Sequence, residues 1–231
     1  MTDSIMASSD ITVANPTACR AVQARDRAAE ASHRIANQLG QLAILLEKQI
    51  RSLQSGPEVI SRAAAVDALR LHHGRLHAIA RLHRAISRTP DDGVVALQQV
   101  LPDLFREFQE CGLFDDRLRL EWTLADGCSV GATQATALML AFSEIVTNAM
   151  KYAHPTALPV ELAVVATPTA DGGIAFTIGD DGVGLPEGFV EARDAGMGLR
   201  LVRSLIESVG GRVELHSDAL GLTFHIELPP R

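Results

Sequence analysis

The chain has 231 residues, 47% hydrophobic and only 4% aromatic, with a formal net charge of −7; this excludes a disordered chain and leaves room for one large core or two small ones. Cys19, Cys111 and Cys128 are widely spaced with no paired motif, which argues against a disulfide framework or structural zinc site and for a reducing cytoplasm. Residues 20–90 hold 12 Lys/Arg against 5 Asp/Glu, whereas residues 91–231 hold 9 against 21, but the arginines follow helical patterns without interleaved aromatics, so nucleic-acid binding is not predicted.

Residues 1–17 lack a basic n-region and an apolar h-region and are predicted to be a disordered tail rather than a signal peptide. From about Ala18 to Gln54, apolar residues such as Ile35, Leu39, Leu42, Leu46, Ile50 and Leu53 recur at three- and four-residue steps, the period of one amphipathic helix. Ser55-Gly56-Pro57 stops it, and Val59, Ala63, Val66, Leu69, Leu76, Ile79 and Ile86 carry the period on to about Arg88. Residues 18–88 therefore read as a helical hairpin. Two helices with one apolar stripe each cannot close a core alone, so a homodimeric four-helix bundle is expected.

Thr89-Pro90-Asp91-Asp92-Gly93 has linker composition, and the second domain is predicted over 94–231. Its expected elements are a helix over 94–110, a strand over 118–124, a helix over 131–152, strands over 159–167 and 173–180, a helix over 197–209, and strands over 212–217 and 221–228. The fold class is α+β, with helices covering one face of a mixed sheet. The apolar run from Ala135 to Met150 is broken by Ser143, Glu144 and Asn148, and nothing approaches the 18 or more apolar residues of a membrane span.

Three segments carry chemistry. On the 131–152 helix, Glu144, Asn148 and Lys151 share a face at i, i+4 and i+7; the amide can ligate Mg²⁺ and the lysine can meet phosphate, although a solvated polar stripe would look the same. Ile178-Gly-Asp-Asp-Gly-Val-Gly-Leu-Pro186 ends a strand with acids and glycines: Asp180 could accept a hydrogen bond from an adenine amino group, while Gly182 and Gly184 allow close backbone approach. Taken alone it reads better as a plain hairpin turn. Gly196-Met-Gly198 opens a helix whose N-terminal amides suit phosphate. The polar stretch Glu187 to Ala195 lies between the last two segments and reads as a lid.

In order and spacing these segments resemble the N, G1 and G2 boxes of the GHKL ATPase superfamily, which includes histidine kinases, gyrase-type ATPases and MutL. The resemblance covers residues 94–231 and implies a Bergerat-type α/β sandwich that uses ATP and Mg²⁺. It implies Asn148 as the metal ligand, Asp180 as the adenine reader, Glu144 as a general base, and Gly182, Gly184, Gly196 and Gly198 as the shapers of the pocket and lid. Asp181 stands where many relatives have Asn.

Upstream, Glu30-Ala-Ser-His-Arg-Ile-Ala-Asn-Gln-Leu39 resembles the H box, H-R-x-x-N, of HWE and related two-component histidine kinases. His33 lies off the Ile35–Leu39–Leu42 seam, where its imidazole can be exposed for attack on a γ-phosphate. The resemblance implies autophosphorylation of His33 and transfer to a response regulator aspartate, in a cytoplasmic enzyme; the short tail leaves no room for a sensory domain, so input is expected from a separate sensor protein or from tail contacts. Two other readings remain: a histidine phosphotransferase or scaffold of the same fold that does not use ATP, and an anti-sigma type serine kinase.

Overall fold

The computed structural model describes residues 36, 39, 40, 42–47, 49–51, 53–55, 59–88, 93–110, 116–154 and 158–231. The predicted tail, His33 and linker residues 89–92 lie outside them. The chain divides into two units, Met1–Leu39 and Gly40–Arg231, and the elements below belong to the second.

The unit opens with α1, helical at every described position from 40 to 54, followed by α2 (Arg62–Arg88), β1 (Val94–Ala96), α3 (Leu97–Glu110), β2 (Leu118–Leu124), β3 (Ser129–Gly131) and α4 (Ala132–Tyr152). After these come β4 (Val160–Pro168), β5 (Ile174–Asp180), α5 (Glu191–Asp194), α6 (Met197–Glu207), β6 (Arg212–Asp218) and β7 (Gly221–Leu228). Five strands form a mixed sheet in the order β2-β4-β5-β7-β6; β2 and β4 are parallel and the remaining neighbours antiparallel.

Strict alternation decides which face of this sheet is covered. Val160, Leu162, Val164 and Ala166 on β4, Ile174, Phe176 and Ile178 on β5, and Phe224, Ile226 and Leu228 on β7 are all buried. The residues between them, such as Glu161, Thr177, His225 and Glu227, point to the other, wetter face. Helices α4 and α6 pack over the apolar face, α3 lies along α4, and α2 packs on both α3 and α4. Phe142 at the centre of α4 stacks on Trp122 of β2 with ring centroids 5.8 Å apart, and Phe105 of α3 meets Trp122 edge-on at 6.1 Å. Phe142 is wholly buried, so truncating it to alanine would cost about 3–5 kcal/mol.

Three short elements are absent from the sequence reading: β1, β3, and α5 within the polar stretch read as a lid. Residues Val94–Ala96 form a strand, not the first turn of a helix, and pair antiparallel with β3, for which no strand is predicted. Each strand is three residues long, too short for alternation to show, and exists because the other is there. Gly131 then caps α4: its N–H donates to Gln134 Oε1 at 2.9 Å, while Gln134 Nε2 donates to Pro229 O at 2.9 Å.

The hairpin's buried stripe also differs from the expected one. Of the expected positions Leu42 and Ile79 are buried, joined by Leu45 and Leu71, whereas Leu46, Ile50, Val66, Leu69 and Leu76 are exposed. Part of the apolar surface of the hairpin is thus covered within one chain by the α3–α4 layer. No helix among the described residues is long and apolar enough to cross a membrane.

Candidate functional site

A cavity of about 720 Å³ opens between α4, the β5–α5 loop, the start of α6 and the helices α1 and α2. Lining it are Glu144, Asn148 and Lys151 of α4, Asp180, Gly184, Gly196 and Gly198. The three sequence segments, spread over more than fifty positions, therefore meet around one space. Gly182 is absent from the lining.

The turn after β5 is built on close approach. The Val183 N–H donates to Ala153 O at 3.0 Å, tying the loop to the end of α4. Gly182 packs so tightly there that a Cβ would stand 2.5 Å from Ala153 Cα, so its role is to let the loop seat on the helix. Gly184 has φ +68°, and a Cβ on it would collide with the Asp218 carbonyl and Ser217 Oγ. Ser217 Oγ accepts instead from the Leu185 N–H at 2.7 Å, which fixes the start of the lid.

Asp180 is half-buried at the end of β5, and its Oδ1 accepts from the Gly182 N–H at 3.0 Å and the Leu222 N–H at 3.2 Å. With that oxygen occupied, Oδ2 is the one left for a ligand in the cavity. Burial pushes the Asp180 pKa up, opposed by the two amide N–H groups; the Asp181 charge adds to the rise and His154 counters it. Asp181 points elsewhere, its Oδ1 accepting from the Glu161 N–H at 2.9 Å and lying 3.1 Å from His154 Nε2.

The α4 residues expected on one face have different surroundings. Lys151 is exposed and Asn148 half-buried, but Glu144 is 3% exposed. Its Oε2 accepts from Arg75 Nη2 at 2.7 Å, and Arg75 Nε donates to Ser143 Oγ at 3.1 Å. Arg75 comes from α2 and is itself only 2% exposed. Burial pushes its pKa down and Glu144 pushes it back up. One turn back, the sealed Nε2 of His72 has no hydrogen-bond partner; burial, then the Arg75 charge, lower its pKa against the pull of Glu144, which keeps the ring neutral.

Sequence reasoning missed Arg75. The signal was there: Leu71, Arg75 and Ile79 fall at i, i+4 and i+8, a buried stripe with a cation at its centre.

The lid is tied to α6 at both ends of its C-terminal half: Arg203 donates through Nε to Glu191 Oε1 of α5 at 2.9 Å, and Arg200 Nε donates to Ala195 O at 2.9 Å. Among the described residues no cluster of three His, Cys, Asp or Glu could cage a metal ion. Asn148 alone suits a Mg²⁺ that takes most of its ligands from phosphate oxygens and water, as Mg²⁺ commonly does.

Residues 133–231 match the family model described as "Histidine kinase-, DNA gyrase B-, and HSP90-like ATPase", and residues 30–111 match one described as "Histidine kinase". The chain thus carries a histidine kinase segment followed by a histidine kinase-like ATPase domain. It is 28% identical over 195 residues to the sensor histidine kinase PdtaS of Mycobacterium tuberculosis, covering 81% of this chain and 37% of that protein. Identity to blue-light-activated histidine kinase 2 of Erythrobacter litoralis is 24% over 214 residues, covering 91% of this chain and 59% of that one. The chain thus spans less than two thirds of the length of these relatives. In fold it is similar to the histidine kinase domain of a blue-light activated histidine kinase from Erythrobacter litoralis, with a TM-score of 0.58 at 19% identity over 83% of this chain and 95% of that one.

Proposed function

We propose that the chain is a protein histidine kinase that binds ATP and Mg²⁺ in the α4–α6 cavity, phosphorylates His33 and passes the phosphoryl group to an aspartate of a response regulator. The observation that carries the reading is the convergence of Asn148, Lys151, Asp180, Gly184, Gly196 and Gly198 on one cavity within a histidine kinase-like ATPase domain. In this reading Asp180 Oδ2 accepts from the adenine amino group, and Gly184 shapes the lid hinge. The amides that follow Gly196 and the Lys151 ammonium meet phosphate oxygens.

Mg²⁺ held by Asn148 would neutralise charge on the phosphates. A His33 imidazole nitrogen attacks the γ-phosphorus, an N–P bond forms, the bond to the bridging oxygen breaks, and ADP leaves. Glu144 is the carboxylate assigned to take the imidazole proton. In the observed arrangement it is engaged by Arg75, so proton transfer requires the acceptor histidine to reach it from the cavity side.

The homodimer belongs to the same proposal, supported by Leu46, Ile50, Val66, Leu69 and Leu76, apolar residues left exposed by the single chain. Residues 18–88 then serve as the dimerisation and phosphotransfer hairpin and 94–231 as the catalytic domain, in the cytoplasm, with input from a separate sensor protein.

The deciding experiment is incubation with γ-labelled ATP and Mg²⁺, comparing wild type with His33→Ala. Label should appear on the wild type only, survive base and be lost in acid, as a phosphoramidate is. Label that persists in His33→Ala, or resists acid in the wild type, ends the histidine-kinase reading. A wild type that binds no ATP points to the phosphotransferase or scaffold.

A further inference from the structure

Part of the cavity wall comes from outside the three ATPase segments, and its one buried cation is unusual in how its donors are spent. A guanidinium presents five N–H donors. Arg75 uses Nε on Ser143 Oγ and Nη2 on Glu144 Oε2; among the described residues no side chain or carbonyl accepts from Nη1. Among the described residues, the side-chain nitrogen or oxygen both sealed and unpartnered is His72 Nε2. Arg75 nevertheless lines the cavity, so its remaining N–H donors stand beside that space.

Packing alone does not call for an arginine here. Leu71 and Ile79 flank it on the stripe that seats α2, and a buried ion pair holds helices together no better than an apolar side chain of similar volume. What the pair does supply is orientation. With two donors anchored by an acid and a hydroxyl, the remaining edge is fixed in direction and suited to a second anion.

Position along α4 says which anion. The adenine-reading turn seats on Ala153 through Gly182 and Val183. Glu144, where Arg75 is anchored, lies nine residues back along the helix, about 13 Å, with Asn148 and Lys151 between. The base end of the cavity and the Arg75 edge are thus at opposite ends of one row of phosphate- and metal-binding candidates.

We propose that Arg75 is a ligand for the terminal phosphate of a nucleoside triphosphate, supplied by α2 and not by the ATPase motifs. The assignment rests on the nucleotide reading above. It makes the seat of α2 on α4 sensitive to the third phosphate: a triphosphate completes the guanidinium's bonding and a diphosphate leaves the edge open.

The test is equilibrium binding of Mg-ATP and Mg-ADP to the full chain, in wild type, Arg75→Lys, Arg75→Met and the double variant Arg75→Met/Glu144→Gln. The double variant covers the case in which Arg75→Met alone fails to fold, because it strands no buried charge. Loss of one charge-assisted contact should weaken ATP about ten- to a hundredfold in both methionine variants, with ADP affinity unchanged within about twofold and Arg75→Lys in between. A purely structural arginine would lower both affinities together, and that parallel loss, or an unaltered ATP-to-ADP ratio, overturns the assignment. If the wild type binds neither nucleotide, the nucleotide reading itself fails and the Arg75 role falls with it; if it binds both and the ratio ignores Arg75, only the Arg75 role is lost.

Discussion

Replacing Asp180 with Asn tests the base end of the cavity with little change of shape. Asn keeps an oxygen for the Gly182 and Leu222 amides, which Oδ1 now serves at 3.0 and 3.2 Å, and so should leave the turn intact. What changes is the second position, where an N–H₂ replaces the carboxylate oxygen and faces the adenine amino group, donor against donor. Losing a hydrogen bond to a charged acceptor costs about 1.5–3 kcal/mol, or roughly ten- to a hundredfold in ATP affinity. The nucleotide-free protein should respond in the opposite sense. Folding raises the Asp180 pKa, with burial the largest cause, from an ordinary value of 3.8. An acid raised on folding supports the fold most where it is protonated, below its unfolded pKa, and that support is lost as pH rises through the folded pKa. Asn is neutral throughout. Asp180→Asn should therefore melt at or above the wild-type temperature at pH 7, with the difference vanishing toward pH 4 and below. Calorimetric titration with Mg-ATP and thermal melts across pH measure the two effects. Unchanged ATP affinity removes Asp180 from the base site, and a variant less stable than wild type at pH 7 shows that the carboxylate serves the fold instead.

Asn148→Ala should remove the Mg²⁺-dependent part of ATP binding while leaving metal-free binding close to wild type; an equal loss with and without Mg²⁺ contradicts the metal-ligand role. Leu69→Asp with Leu76→Asp touches positions 70% and 51% exposed in the single chain, so the monomer should fold normally, but a bundle would bury both carboxylates at several kcal/mol. Light scattering should show the variant as a monomer and the wild type as a dimer, and identical masses refute the interface. Mixing Asn148→Ala with His33→Ala protein reports direction: label returns only if ATP on one subunit reaches the histidine of the other. Gly184→Val should abolish ATP binding, because φ +68° excludes a β-branched side chain and its Cβ would strike the Asp218 carbonyl; retained affinity would show that the lid hinge can be rebuilt.

By itself the sequence determined the elements that repeat a period long enough to read. Strands β2 and β7 fall where alternation places them, and α4 and α6 begin within a residue of the expected starts, because each has its apolar spacing written locally. Asp180, the glycines around it and the Glu144–Asn148–Lys151 series were legible for the same reason: each segment is contiguous, and its chemistry is carried by residue type and short spacing. Tertiary structure decided whatever depends on a partner far along the chain. Strands β1 and β3 exist only as each other's pair across more than thirty residues. On α2 the expected stripe Val66–Leu69–Leu76–Ile79 competed with Leu71–Ile79, and periodicity cannot say which meets a neighbour; the α3–α4 surface chose the second. That choice carried Arg75 inward, 69 residues in sequence from the glutamate it pairs with. A lone arginine in a basic helix looks like any other solvated cation, and only the burial of both charges gives it a place in the site.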